Sequence, residues 1–327
     1  MRCMYWYDKK TSQLRSDVLP EELPGLLKNP DGLLWADLAQ PTEEDLSLLT
    51  TVFGFSPLTV EDCQHPQLIP KLEMHKKFIF MVMHGVKVNQ KSGLPDSGRV
   101  ETKELDMFIG KNFLVTVHDK ELLAVTQAHH SIKENPTQLE EGSVMLAYHI
   151  LDTLVDLYLP VMNMLDERLS ELEQTVRLSS RQDMTEAFFD LHHALANLQR
   201  ATRKQEEVLL GLTRKEHPLI TEEDVVCFQD IHDHLVRLLE LTQTCRDNLN
   251  WILDTHLALV SHRTNDIMRI LTIYNMVLLP LGFITSFYGM NFDQPETHWA
   301  FGYPFVILVM LATLFAVWVY FRRKEWV

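Results

Sequence analysis

The apolar positions of this chain follow three rhythms in succession. Up to about residue 120 they fall in short runs rich in β-formers and bounded by turn residues. Residues 77–88 (KFIFMVMHGVKV) and 113–119 (FLVTVHD) read as strands. Residues 104–110 (ELDMFIG) read as a third, paired to the 113–119 strand through a tight turn at Lys111 and Asn112. Residues 89–98 (NQKSGLPDSG) read as a loop, and Thr42 followed by Asp45 marks a helix start.

From residue 120 the rhythm becomes helical and glycine nearly vanishes. The spacing predicts one helix over 143–178, kinked at Pro160. Another covers 182–215, and His217 and Pro218 then turn the chain. Thr221, followed by Glu222, Glu223 and Asp224, opens a third with a capping residue and acids that suit the helix dipole. No convincing stop follows before Gly289. Unbroken, that helix would be roughly 100 Å long at the standard rise; the alternative is a break near 261–264.

The last rhythm is continuous apolarity. Residues 301–321 hold no charge, and a run of about 20 such residues matches a bilayer. Residues 270–288 are less apolar, with Thr272, Asn275, Pro280, Gly282, Thr285 and Ser286. Alone they would suit a buried soluble helix; beside the later run they read as a further span. The expected class is an α+β membrane protein. Its parts are a cytosolic α/β domain (1–140), a helical stalk (141–265), a first transmembrane helix (266–289), an outer loop (290–300), a second transmembrane helix (301–321) and a basic tail (322–327).

Charge sharpens this picture. The 327 residues carry 45 acidic and 30 basic side chains, a formal net charge of −15. That balance excludes a nucleic-acid partner and fits an acidic body that attracts cations. Arg322, Arg323 and Lys324 follow the C-terminal span and Arg263 and Arg269 flank the one before it, whereas the connecting segment has Asp293 and Glu296 and no Lys or Arg. The positive-inside rule then places both termini in the cytoplasm. Cys3, Cys63, Cys227 and Cys245 form no CxxC pair and read as reduced thiols. The first residues hold no apolar core of a cleaved signal peptide. No P-loop, nucleophile elbow or HExxH supports an enzyme.

Two spans cannot enclose a water-filled path, so a conducting form needs several copies around an axis. The first span, with its polar residues, is the better lining; the uniformly apolar C-terminal span suits a position against lipid. Asn265, Leu271, Leu279 and Gly282 share one broad helical face. Rings of leucine would form dry constrictions that gate by dewetting. Rings of asparagine, at Asn265 and beyond the helix at Asn291, would offer uncharged oxygens. Mg2+ dehydrates reluctantly, so a neutral amide ring can hold it through its waters. On spacing alone, Asn291 would serve equally well as a helix cap.

Tyr288-Gly289-Met290-Asn291, set between two C-terminal spans ahead of a basic tail, resembles the signature of the CorA family of divalent-cation channels. The likeness extends over residues 265–291, Pro280 included, over SPLTVEDC at 56–63 and over PKLEMHKKFIFMVM at 70–83. The resemblance implies a homopentamer in the inner (plasma) membrane, with a cytosolic αβα domain and a funnel of stalk helices. It implies a selectivity filter at Gly289, Met290 and Asn291, and pore-facing Asn265, Leu271 and Leu279. Gly282 stands where many relatives carry a hydroxyl, and QPET at 294–297 replaces a common MPEL, leaving Glu296 as the one matched acid. Glu296 and Asp293 could attract cations to the mouth or be ordinary loop acids.

The resemblance further implies an inter-subunit regulatory Mg2+ site in the cytosolic domain, with Asp230 as one ligand. Asn89 stands where the partner carboxylate is expected, with Asp96, Asp224 and Asp233 as substitutes; an ordinary stalk acid is the other reading of Asp230. Mg2+ is the expected cargo, with Co2+ and Ni2+ as further ions. The related ZntB subfamily, which moves Zn2+, commonly alters the middle residue of GMN, and Met290 favours the Mg2+/Co2+ branch. The 15 histidines, among them His232 and His234 and the pairs His129-His130 and His192-His193, do not converge at a zinc-site spacing. A membrane-anchored helical scaffold that conducts nothing is the remaining alternative.

Overall fold

A computed structural model of the chain describes residues 2–65, 69–87, 100–178, 184–290 and 301–324. They divide into two units, 1–252 and 253–327. The first holds a seven-stranded sheet of order β2-β1-β3-β7-β6-β5-β4. The strands are β1 (Arg2–Asp8), β2 (Gln13–Arg15), β3 (Gly32–Ala39), β4 (Lys71–Met74), β5 (Phe78–Val86), β6 (Thr102–Gly110) and β7 (Phe113–His118). Only β3 and β7 pair in parallel. The hairpin expected between residues 104–110 and 113–119 forms, with Asp106 opposite Val117 and Ile109 opposite Leu114.

Strand alternation sorts the side chains between the two faces of this sheet. Ile79, Met81 and Met83 of β5 enter one core, and Phe78, Phe80 and Val82 enter the other. Because both faces are covered, β5 is buried along its whole length and reads as an unbroken apolar run. The core around Phe80 is closed by three short helices, α1 (Leu23–Leu26), α2 (Glu43–Thr51) and α3 (Pro57–Asp62). The Thr42–Asp45 signal is a full capping box at the start of α2: each side chain bonds the other's backbone N–H.

The core around Met81 is closed by α4 (Leu123–Glu134), α5 (Ser143–Asp156), α6 (Tyr158–Leu178), α7 (Thr185–Thr213) and the start of α8 (Glu222–Tyr288). The architecture is therefore αβα. Residues 143–178 do not form the single kinked helix that spacing suggested. Helix α5 ends at Asp156 and α6 restarts at Tyr158, which puts Pro160 in a first turn, where its missing N–H costs no intrahelical bond. The helix expected over 182–215 runs over Thr185–Thr213; residues 182 and 183 lie outside the described residues.

Helices α7 and α8 each bury a heptad stripe in this core. On α7 the buried positions include Phe188, Leu191, Leu195, Leu198, Thr202, Gln205, Leu209 and Leu212. On α8 they include Phe228, Ile231, Leu235, Leu238, Thr242, Cys245, Leu249 and Ile252. Alternating steps of three and four keep one stripe facing inward. Gln205 ties this bundle to the sheet: it donates to the Tyr158 hydroxyl (2.8 Å), which donates to the His84 carbonyl (2.6 Å). Helix α8 opens on another capping box, in which Thr221 and Asp224 bond each other's backbone N–H.

The second unit takes up the rest of α8 and helix α9 (Gly302–Arg323). Helix α8 is unbroken through 261–264, so the alternative break does not occur. Among the described residues three helical stretches are long and apolar enough to cross a membrane: 143–178, 222–288 and 302–323. In the first, 44% of the most apolar window is buried inside the protein, so its apolarity serves the core. In the other two the figures are 0% and 6%. Surface so apolar and so uncovered calls for lipid or further copies of the chain.

Candidate pore and metal-binding sites

The end of α8 is set by chain geometry. Gly289 lies just past the helix, and its N–H donates to the Thr285 carbonyl at 2.9 Å. A Cβ at Gly289 would stand 2.9 Å from that same oxygen, too close for any other residue without moving the backbone. Met290 is the last described residue before 301; Asn291, Asp293 and Glu296 lie outside the described residues. Upstream, Asn265, Leu271, Leu279 and Gly282 are all exposed, Leu271 by 52% and Leu279 by 70%. Gly282 has open space where a Cβ would stand, so no contact within the chain demands a glycine there.

Not every polar residue of this span needs a polar neighbour. Thr272 donates to the Met268 carbonyl (2.7 Å), and Thr285 bonds the carbonyls of Leu281 and Gly282 (both 3.0 Å). These hydroxyls are satisfied within their own helix and cost little in lipid. At the other end of the second unit, Arg322 stacks over Trp318 (5.1 Å) and Lys324 lies over Tyr320 (5.7 Å). Aromatic rings paired with basic groups suit a membrane–water interface.

In the first unit, Asp230 stands where the sequence places it, on an exposed face of α8. Asn89 and Asp96 lie outside the described residues. Asp224 is committed to the helix cap. Asp233 faces His232 (3.3 Å), which reaches Glu206 of α7 (3.0 Å). Asp230 groups with Asp152 of α5 and with His234, and one ligand atom of each lies within 4.8 Å of the others. His234 follows Asp230 by one helical turn, which puts both on one face. Asp156, a turn beyond Asp152, contacts His234 at 3.6 Å. Burial raises the Asp152 carboxyl above its ordinary range, and the negative charges of Asp156 and Asp230 add to the shift. A divalent cation here would relieve that repulsion, and two carboxylates and an imidazole are a competent donor set.

Sequence reasoning named Asp230, missed Asp152 and did not join His234 to them. The signal was present as two one-turn pairs, Asp152/Asp156 and Asp230/His234, but nothing in the sequence shows that α5 and α8 lie side by side. Among the other histidines, His129 donates to Asp37 (2.8 Å) and stacks on Trp35 at 4.3 Å between ring centres. It belongs to the core.

The family model of the CorA-like Mg2+ transporter protein matches residues 30–323. This chain belongs to the CorA-like Mg2+ transporter family. It is 34% identical over 294 residues to the putative metal ion transporter YfjQ of Bacillus subtilis, covering 89% of each chain. It is 30% identical to the cobalt/magnesium transport protein CorA of Thermotoga maritima, over 84% of this chain and 77% of the relative. The complete structure of the CorA magnesium transporter from Methanocaldococcus jannaschii superposes with a TM-score of 0.83 at 25% identity, covering 100% of this chain and 99% of that one. The α+β fold with C-terminal apolar helices is thus that of a CorA-type membrane transporter, not of an enzyme.

Proposed function

We propose that this chain assembles as a homopentameric channel in the inner membrane, both termini cytoplasmic, and admits Mg2+ and also Co2+ and Ni2+ down their electrochemical gradients. The observation that carries the reading is the continuity of α8. One helix runs from the acidic group at Asp230 to the glycine that opens the GMN sequence. A metal bound at one end can therefore act mechanically on the other.

In this reading Gly289, Met290 and Asn291 form the outer filter, which selects a hydrated ion. Asp293 and Glu296 concentrate cations outside it. Leu279 and Leu271 form the dry constrictions, Gly282 leaves the pore wide between filter and gate, and Asn265 forms the inner polar ring. Asp230, Asp152 and His234 form the cytosolic Mg2+ sensor. Mg2+ on the sensor holds the pore closed, and its loss releases α8.

Two outcomes are expected. Leu279→Ala or Leu271→Ala removes most of the apolar wall of a constriction, so flux at high internal Mg2+ rises several-fold; closed-state flux equal to wild type would count against a dewetting gate. Asp230→Asn weakens Mg2+ protection of the cytosolic domain from protease by at least about tenfold, as expected for loss of a charge in the coordination sphere. An identical Mg2+ dependence in mutant and wild type removes Asp230 from the sensor.

A further inference from the structure

Strand β4 stops short of His84 on its neighbour β5. The two pair from Lys71 opposite Val82 to Met74 opposite Ile79, so no β4 residue stands beside His84. The buried backbone N–H and carbonyl of His84 still need partners. Side chains from two helices supply them. The His84 N–H donates to Gln205 Oε1 of α7 (3.3 Å), Gln205 Nε2 donates to the Tyr158 hydroxyl of α6 (2.8 Å), and that hydroxyl donates to the His84 carbonyl (2.6 Å). The three bonds close a ring.

The ring holds one arrangement. Gln205 and Tyr158 are fully buried, and turning the Gln205 amide over would set donor against donor at the His84 N–H. The same corner of the fold carries the acids of the metal group. Helix α5 ends at Asp156 and α6 restarts at Tyr158. Tyr158 enters the core, whereas Asp156, two residues earlier, reaches His234 at 3.6 Å. Asp152, one turn before that, groups with Asp230 and His234. Beside the ring α5 is seated closely on β5: a Cβ at Gly85 would stand 3.0 Å from the Leu122 side chain and 3.5 Å from that of Leu154. Helix α5 thus touches the sheet on one side and α8 on the other, and the ring pins the corner where it ends.

We infer that Tyr158 and Gln205 are positioning residues for the metal group. By fixing the end of α5 to β5 and α7, they set how closely the Asp152 carboxylate approaches Asp230 and His234 on α8. A binding group works only within about 0.5 Å of its productive geometry. Loosening the corner therefore weakens metal binding without removing a ligand. The inference rests on the reading of Asp152, Asp230 and His234 as a divalent-cation sensor, and extends it to two residues that touch no ion.

The test is Mg2+ titration of the full-length chain in detergent, read as the midpoint of protection from protease, with thermal unfolding measured separately in the absence of metal. Tyr158→Phe keeps the ring's shape and removes its central hydroxyl; it should move the Mg2+ midpoint several-fold higher. Gln205→Met should move it the same way, and the double variant no further than the worse single, because the bonds act as a unit. Val115→Ala, in the core on the other face of the sheet, is the control for stability. It should lower the metal-free unfolding temperature and leave the midpoint at the wild-type value. A wild-type midpoint in both Tyr158→Phe and Gln205→Met, or an equal shift in Val115→Ala, would overturn the positioning role while Asp230→Asn still shifts the midpoint. An unchanged midpoint in Asp230→Asn would instead overturn the sensor reading, and the inference with it.

Discussion

Replacing Asn291 by Ala should reduce Mg2+ uptake into proteoliposomes to background while leaving the assembly intact on size-exclusion chromatography. An amide ring accepts hydrogen bonds from the inner waters of a cation it does not strip. Each bond to so polarised a water resembles one to a charged group, worth about 1.5–3 kcal/mol. Loss of only two, at about 1.5 kcal/mol each, already lowers occupancy of the mouth roughly a hundredfold. Alanine offers no oxygen and replaces a polar ring with a dry one. Folding should survive, because the two apolar cores are built from residues up to Ile252. Uptake at wild-type rate would remove the GMN sequence from ion selection.

The other large effect concerns the fold that carries the proposed sensor. Asp37→Ala should lower the thermal unfolding temperature of the first unit by about 10 °C. Asp37 sits on β3 against β7, almost fully buried. Thr116 donates to its Oδ1 at 2.6 Å, His129 donates to its Oδ2 at 2.8 Å, and His118 Nε2 stands 3.2 Å away. Trp35 in turn donates to Thr116 (3.1 Å) and stacks on His129. Truncation leaves several buried donors without an acceptor, and breaking a buried pair of this kind costs about 3–5 kcal/mol. At about 2–4 °C per kcal/mol for a unit of this size, the shift follows.

The pH dependence has a definite sign. Burial alone would raise the Asp37 carboxyl, but the facing imidazoles of His118 and His129 and the Thr116 hydroxyl outweigh it and hold the group well below the carboxylate range. A depressed folded-state value means stability that is fully present above the unfolded value near 3.9 and is lost as pH falls below it. Wild type should therefore weaken steeply below about pH 4, and Asp37→Asn should begin less stable and lose less over that range. Parallel acid limbs in the two proteins would show that Asp37 is not ionised in this network.

Elements with a local cause could be read from the sequence. The strands at 78–86 and 102–118 announce themselves by β-branched and aromatic runs, the starts of α2 and α8 by their capping residues, and the spans by length. The unbroken course of α8 followed from the absence of a stop before Gly289. Features with a non-local cause could not be read so. Strands β1 and β3 occupy their places in the sheet only because β3 reaches across to pair with β7. The break falls at Leu157, ahead of Pro160, which sits in the first turn of α6. Asp230 was named from its distance along α8, whereas Asp152 became a candidate only once α5 was seen beside α8.

The most direct test of the account is Mg2+ flux into proteoliposomes of the purified full-length chain, measured with and without a pH gradient and compared with Zn2+ flux. The account predicts Mg2+ entry that follows the membrane potential, ignores the pH gradient and falls as internal Mg2+ rises. Zn2+ entry that tracks the proton gradient, with no Mg2+ entry at either polarity, would contradict it.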